Sequence, residues 1–292
     1  MSLAYYPGCS GLSASADYEH STRAVCAALN IEVREIPDWN CCGASPGYLT
    51  DPLLSASLCA RSLAQAREAG HDKVLTPCPS CLTNLKHARH NLQDVSFRAR
   101  VERIIERSAD DLPDTVGILQ ILLEEAGLDA IKSRAQKPLA GIGVVPYYGC
   151  IMTRPAEVMR FDDVENPMSM DRILEALGAE VLPFPLKVEC CGASSGVPRR
   201  EVTARLSGRV LSAARAAGAD AVVLACPLCQ MNLDLRQKQA EKAVGQTFDL
   251  PVFYITQMIG LAFGMDEKTL GIGKLSTSPD RVLAKHVQGG RA

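Results

Sequence analysis

Ten of the chain's twelve cysteines fall into two matching sets. Cys9 is followed after 31 residues by the adjacent pair Cys41 and Cys42, then after 35 more by Cys78-Pro79-Ser80-Cys81. Cys150 is followed after 39 residues by Cys190 and Cys191, then after 34 more by Cys226-Pro227-Leu228-Cys229. Thiolates at C-x2-C spacing hold metals, zinc among them, and zinc takes four ligands. A cubic [4Fe–4S] cluster also takes four. Each set supplies five, and the surplus recurs at nearly the same spacing. The donors therefore suit an iron–sulfur cluster with a larger thiolate demand than a cubane, or one with bridging thiolates. Zinc and a thioredoxin-like redox pair stay open; the first leaves one cysteine per set unused, the second three.

The residues beside the cysteines fit an anionic group. Gly43 and Gly192 follow the adjacent pairs, where glycine permits close backbone approach or a positive φ. Pro79 and Pro227 follow the first cysteine of each C-x2-C, and proline is tolerated at the first helical position. A helix starting there aims free N–H groups and its positive end at the cysteines. Cys26 and Cys59 have no counterpart in the other set and read as small core residues. His20, His71, His87, His90 and His286 are scattered, read as surface or capping residues, and are assigned to no metal.

The elements that must position these residues repeat as well. "AREAGHDKVLTPCPSCLTNL" lies over "ARAAGADAVVLACPLCQMNL" with eleven of twenty residues identical. "YYPGC" matches "YYGC", "CCGAS" recurs unchanged, and "ILQILLEEAGLD" resembles "ITQMIGLAFGMD". A repeat this long is an architectural unit rather than a solenoid period. Short apolar runs such as "GIGVVPYYG", "DKVLTPC" and "DAVVLAC" read as strands that end at a cysteine loop. "ADYEHSTRAVCAALN", "NPMSMDRILEALG", "LLSASLCARSLAQAREAG" and "EVTARLSGRVLSAARAAG" have helical spacing, three with a glycine stop. "IEVREIP" and "AEVLPFP" read as strands closed by proline. Alternating strands and helices predict an α/β protein with parallel sheets, whose ligands bind at the strand C-terminal ends. The apolar stretch "PVFYITQMIGLAFGM" reads as a buried helix, and "RARVERIIERSADD" as a solvated helix with Val101, Ile104 and Ile105 packed inward.

The totals exclude some functions. The chain has 292 residues, 47% hydrophobic and 22% charged, with a formal net charge of −2, so it has no basic footprint for nucleic acid. No apolar run reaches the ~20 residues of a membrane-spanning helix, and the N-terminus lacks a secretory pattern. A cytoplasmic location is expected. There disulfides are disfavoured, and cysteine abundance points to metal or redox chemistry. No Walker loop or G-x-G-x-x-G follows a strand.

These motifs resemble the CCG domain, two in tandem, as in the B subunit of heterodisulfide reductase and its bacterial relatives. "YYGC", "FDDVENPMSMDRILEALGAE", "CCGAS" and "CPLCQMNLDLRQ" carry the resemblance, which reaches to about residue 265. It implies two pseudo-symmetric domains at residues 1–135 and 142–266, each a small parallel sheet with flanking helices and a cluster site at the strand C-terminal ends, and a tail at 267–292. It implies two noncubane [4Fe–4S] clusters. Cys9, Cys41, Cys42, Cys78 and Cys81 would hold one; Cys150, Cys190, Cys191, Cys226 and Cys229 the other. A disulfide bound between them would be cleaved by two electrons, or formed in the reverse direction. The implied partners are the ferredoxin-like subunit of that complex, its flavin-containing subunit, and a disulfide or thiol substrate, protein-bound lipoate included. Related members oxidise sulfur with a lipoate-binding carrier, and others accept electrons in succinate- or glycolate-type dehydrogenases; those functions stay open.

Overall fold

The computed structural model describes residues 2–289, so Met1 of the expected first domain and residues 290–292 of the expected tail lie outside the described residues. The first half runs β1 (Ser2–Tyr5), α1 (Ala16–Ala28), β2 (Glu32–Glu35), α2 (Ala44–Thr50), α3 (Pro52–Glu68), β3 (Lys73–Thr76), α4 (Pro79–Asn91), α5 (Val95–Ile105), β4 (Asp114–Gly117), α6 (Ile118–Ile121) and α7 (Leu128–Arg134). The second runs β5 (Gly143–Tyr147), α8 (Ala156–Met159), α9 (Ser169–Ala176), β6 (Glu180–Val181), α10 (Arg200–Ala216), β7 (Ala221–Leu224), α11 (Pro227–Gln230), α12 (Gln237–Val244), β8 (Val252–Tyr254) and α13 (Ile255–Ala262), followed by α14 (Asp280–Gly289). One π-helical turn extends α6 over Leu122–Ala126 and another extends α11 over Met231–Leu235.

Each half holds a four-stranded sheet, in the orders β2-β1-β3-β4 and β6-β5-β7-β8. Every pairing is parallel. The central strands β5 and β7 are buried along their whole length, as strands covered by helices on both faces must be. Strand order reverses between β1 and β3, and again between β5 and β7. At such a reversal neighbouring connections leave toward opposite faces and open a crevice beyond the strand C-termini. The loops that carry Cys9 and Cys78, and those that carry Cys150 and Cys226, leave the sheets at these two points.

Local chemistry sets the helix limits. The Asp51 side chain accepts from the N–H groups of Leu53 and Leu54, with Pro52 at the first position of α3. Gly70, Gly178 and Gly218, all at positive φ, follow α3, α9 and α10.

The halves share one core. Tyr18 on α1 stacks on Tyr254 with ring centroids 4.0 Å apart and planes 4° from parallel. A stacked pair contributes about 0.5–1.5 kcal/mol beyond its buried area. Ser21 and Thr256 hydroxyls meet at 2.7 Å beside it. A second apolar cluster, with Leu63, Leu85 and Val101, fills the far face of the first sheet.

Three expectations change. The run "PVFYITQMIGLAFGM" is buried, but its start is β8 and only Ile255–Ala262 is helix. A continuous apolar run carries no period to separate the two. Ile104 is 54% exposed, whereas Val101 is fully buried and Ile105 packs partly inward. His286 is buried, its Nε2 3.0 Å from the Lys137 carbonyl, where it pins α14 to the segment between the halves.

Candidate metal centres

The cysteine loops gather at the strand ends in both halves. In the first, Cys42 Sγ and Cys81 Sγ lie 3.5 Å apart. Cys41 contacts Cys42, Cys78 contacts Cys81, and Cys9 is close enough to Cys41 to interact with its charge. In the second, Cys191 Sγ and Cys229 Sγ lie 3.5 Å apart, while Cys150 contacts Cys190 and Cys226 contacts Cys229. All ten are free thiols; Cys9, Cys41 and Cys190 are exposed, Cys150 is half-buried and the rest are buried.

The four candidate neighbours turn or cap the chain beside the cysteines. Gly43 and Gly192, both at φ 83°, turn the chain directly after the adjacent pairs. A Cβ at Gly192 would come within 2.8 Å of Thr203 Cα, so that turn also lacks space for a side chain. Behind the turns, the Ala44 N–H points at Cys42 Sγ (3.4 Å) and the Gly192 N–H at Cys190 Sγ (3.2 Å). Pro79 and Pro227 open α4 and α11, with Cys78 and Cys226 as the capping residues.

The contact from Cys41, then that from Cys81, holds Cys42 down to about 3, while the same contact with Cys42 pushes Cys41 up. The contact from Cys150 holds Cys190 down to about 6, and Cys150 itself is pushed up. Cys78 and Cys191 are lowered by contacts from Cys81 and Cys229, which are raised in turn. Crowded thiols of this kind cannot all ionise beside one another. Coordination to a metal would remove that restriction, since a coordinated thiol is deprotonated outright.

The donor set fits an iron–sulfur group. Among the described residues, no group of three or more His, Cys, Asp or Glu side chains converges as a single metal ion requires. The sulfurs are strung out pairwise, which suits a ligand several atoms across. Glycine opens the space beside them. Gly8 and Gly149 share φ 73°, and an added Cβ would lie 3.0 Å from Cys81 Sγ and 3.2 Å from Cys229 Sγ.

Other residues brace both sites and repeat between halves. Tyr6 Oη donates to the Asn40 carbonyl (2.5 Å) and Tyr147 Oη to the Glu189 carbonyl (2.6 Å), fixing the residue before each adjacent pair. The Asn84 side-chain amide donates to the Cys42 and Ala44 carbonyls at 3.1 and 3.0 Å. The Asn232 amide donates to the Cys191 carbonyl at 3.3 Å and faces its Sγ at 3.5 Å. Cys59 is buried, yet its thiol points at the Cys42 carbonyl (3.8 Å), as the Ser207 hydroxyl does at the Cys191 carbonyl (3.0 Å). Sequence reasoning passed over these groups. The tyrosines, both asparagines and the Gly-Cys steps all lie in the repeated wording and were visible there.

A crevice lies beside the loops of both halves, lined by none of the ten cysteines. Its walls include Thr76, Pro77, Pro79, Met152 and Ala225, which flank cysteines of both sets. The Tyr18 hydroxyl lies 3.1 Å from the Pro77 carbonyl and 3.2 Å from the Ala225 carbonyl, between the two C-x2-C loops. Among the described residues, the buried Thr76 hydroxyl has no hydrogen-bond partner.

Comparison with known proteins shows what the repeated halves resemble. The CCG cysteine-rich domain family matches residues 3–86 and 144–234. The chain is 34% identical to the 8-methylmenaquinol:fumarate reductase membrane anchor subunit of Wolinella succinogenes, over 92% of this chain and 95% of that one. It is 28% identical to the B subunit of the ferredoxin/F420H2-dependent CoB-CoM heterodisulfide reductase of Methanosarcina acetivorans, over 97% and 96% of the two. The fold resembles a solved hypothetical protein from Helicobacter pylori, with TM-score 0.75 at 11% identity. That match covers 95% of this chain and 52% of the other, so this chain spans about half its length. Among the described residues, no helix is long and apolar enough to cross a membrane.

Proposed function

The chain belongs to the cysteine-rich CCG domain family, and on that premise we propose that it is the disulfide-handling redox component of a multi-subunit oxidoreductase, with one noncubane [4Fe–4S] cluster in each half. Cys9, Cys41, Cys42, Cys78 and Cys81 hold the first; Cys150, Cys190, Cys191, Cys226 and Cys229 hold the second. Bound clusters supply two one-electron centres, matching the two electrons and two protons that turn a disulfide into two thiols.

The observation that carries this reading is the approach of the two C-x2-C loops, joined through the Tyr18 hydroxyl, beside a crevice lined by residues of both halves. A disulfide held between those loops would lie within reach of both cysteine sets. The chain's own residues prepare it. Tyr18 ties the Pro77 and Ala225 carbonyls and so fixes the loop spacing. Leu82, Ile118, Leu119 and Phe161 line the crevice and exclude water. The Thr76 hydroxyl, with no other partner among the described residues, is free to donate to a bound sulfur. The crevice holds about 20 Å³, room for roughly one water, so a disulfide enters only as the loops part. Electrons come from a ferredoxin-like protein served by a flavoprotein of the same complex, in the cytoplasm. The same residues serve disulfide formation from thiols or protein-bound lipoate.

A second reading is favoured by the 34% identity to the Wolinella protein. There the chain carries electrons within a fumarate- or succinate-type reductase, with no sulfur substrate. One experiment separates the two. Chemically reduced, anaerobic protein is mixed with a heterodisulfide or oxidised lipoate in a single turnover. The disulfide reading expects two thiols per disulfide consumed; reoxidation by a quinone with no thiol release supports the second.

A further inference from the structure

A cavity of about 200 Å³ opens between α4 of the first half and α8 of the second. Its walls carry Lys86 and Arg89 from α4, Gln120 from α6, Arg160 at the end of α8, and the carboxylates of Asp114 and Glu157. Arg89 and Asp114 pair at 3.2 Å, which leaves two cations against one carboxylate. The half-buried Lys86 ammonium has no ion-pair or hydrogen-bond partner among the described residues. Among the described residues Arg160 makes a single side-chain bond, from Nε to the Glu157 carbonyl at 3.0 Å, which leaves its remaining donors for another group. We propose that this cavity binds a small oxyanion, a carboxylate or a phosphate.

The backbone supports the assignment. Arg160 adopts φ 46° and ψ 44°, the left-handed region, where its N–H caps α8 through the Ala156 carbonyl at 3.0 Å. Glycine takes such a cap without a steric penalty. An arginine there accepts strain and delivers a planar fork of donors suited to carboxylate or phosphate. Burial, then the nearby Arg89 and Arg160, destabilises the charged form of Lys86 against the opposing pull of Asp114 and Glu124. A bound anion reverses that balance. The volume lies below that of pockets for drug-sized ligands and suits an anion of a few heavy atoms.

Position gives the site a consequence. It spans the two halves, and Gln120 walls both this cavity and the crevice beside the two C-x2-C loops. Helix α4 begins at Pro79, between Cys78 and Cys81. An anion bound here bridges the halves beside the crevice, whichever reading of the redox function holds.

Isothermal titration of the anaerobically purified full chain tests the site directly, with inorganic phosphate and, separately, malonate, at ionic strength held constant with chloride. Saturable one-site binding of at least one anion is expected, and the tighter of the two identifies the class. Affinity should fall at least tenfold in Lys86→Met and in Arg160→Gly. The second variant relieves backbone strain, so its unfolding midpoint should be no lower than the parent's and its loss of binding cannot be blamed on misfolding. No saturable heat with either anion, or binding that survives both substitutions, overturns the proposal.

Discussion

Tyr18 of the first half stacks face to face on Tyr254 of the second, 4.0 Å between ring centroids, and its hydroxyl sits between the carbonyls that precede Cys78 and Cys226. One O–H shared by two acceptors fixes the separation of the two C-x2-C loops. Tyr18→Phe keeps the stack and leaves both carbonyls short of a donor, a loss of about 1–3 kcal/mol for a buried group left unsatisfied. Denaturant unfolding should register that loss while iron content stays at the parent value. Unchanged stability would show that the carbonyls do not depend on this hydroxyl.

The turns after the adjacent cysteines should differ in tolerance. Gly43 and Gly192 share φ 83°, but an added Cβ meets Gly47 Cα at 3.4 Å in the first case and Thr203 Cα at 2.8 Å in the second. A left-handed non-glycine residue costs about 1–2 kcal/mol. Gly43→Ala should cost about that, and Gly192→Ala more, because backbone of α10 must also shift. Unfolding free energies of the two variants check the order; equal losses would contradict it.

Cys59 offers a substitution that the second half has already made. Its thiol and the Ser207 hydroxyl point at equivalent carbonyls, those of Cys42 and Cys191. Cys59→Ser should therefore leave iron content and spectra of both sites unchanged, whereas Cys42→Ser should damage the first site alone. Loss of iron in Cys59→Ser would make that thiol a ligand rather than a brace.

The second site rests on a buried ion pair. Lys187 Nζ lies 2.6 Å from Asp171, which also accepts from the Tyr148 hydroxyl at 2.7 Å, and the Lys187 carbonyl receives the N–H groups of Tyr148 and Gly149. Removing one partner of a buried pair costs about 3–5 kcal/mol, because the other charge is left uncompensated. Lys187→Met should show a loss of that order in denaturant unfolding. A loss below about 1 kcal/mol, the level of an exposed pair, would contradict the burial argument.

The sequence made the sheets and cysteine loops legible because each strand is a short apolar run closed by glycine or proline and a cysteine, and the motif occurs twice. It did not separate β8 from α13 inside "PVFYITQMIGLAFGM", where every residue from Val252 to Ala262 is buried and no period survives. It also placed Ile104 inward, although that side of α5 faces solvent. Within the sites, the bracing atoms escaped notice because their role depends on backbone carbonyls brought close by folding. Asn84 and Asn232 illustrate this: both stand three residues after a cysteine in the aligned repeat, yet only the fold puts their amides on Cys42 and Cys191.

On the proposed function, five cysteines in each half hold one four-iron cluster. Iron and acid-labile sulfide analysis of the anaerobically purified chain, alongside Mössbauer spectra, tests it most directly. About eight irons and about eight sulfides per chain are expected for two [4Fe–4S] groups, falling to about half in Cys191→Ser with the first site intact. Zinc without iron, or iron content untouched by that substitution, would contradict it.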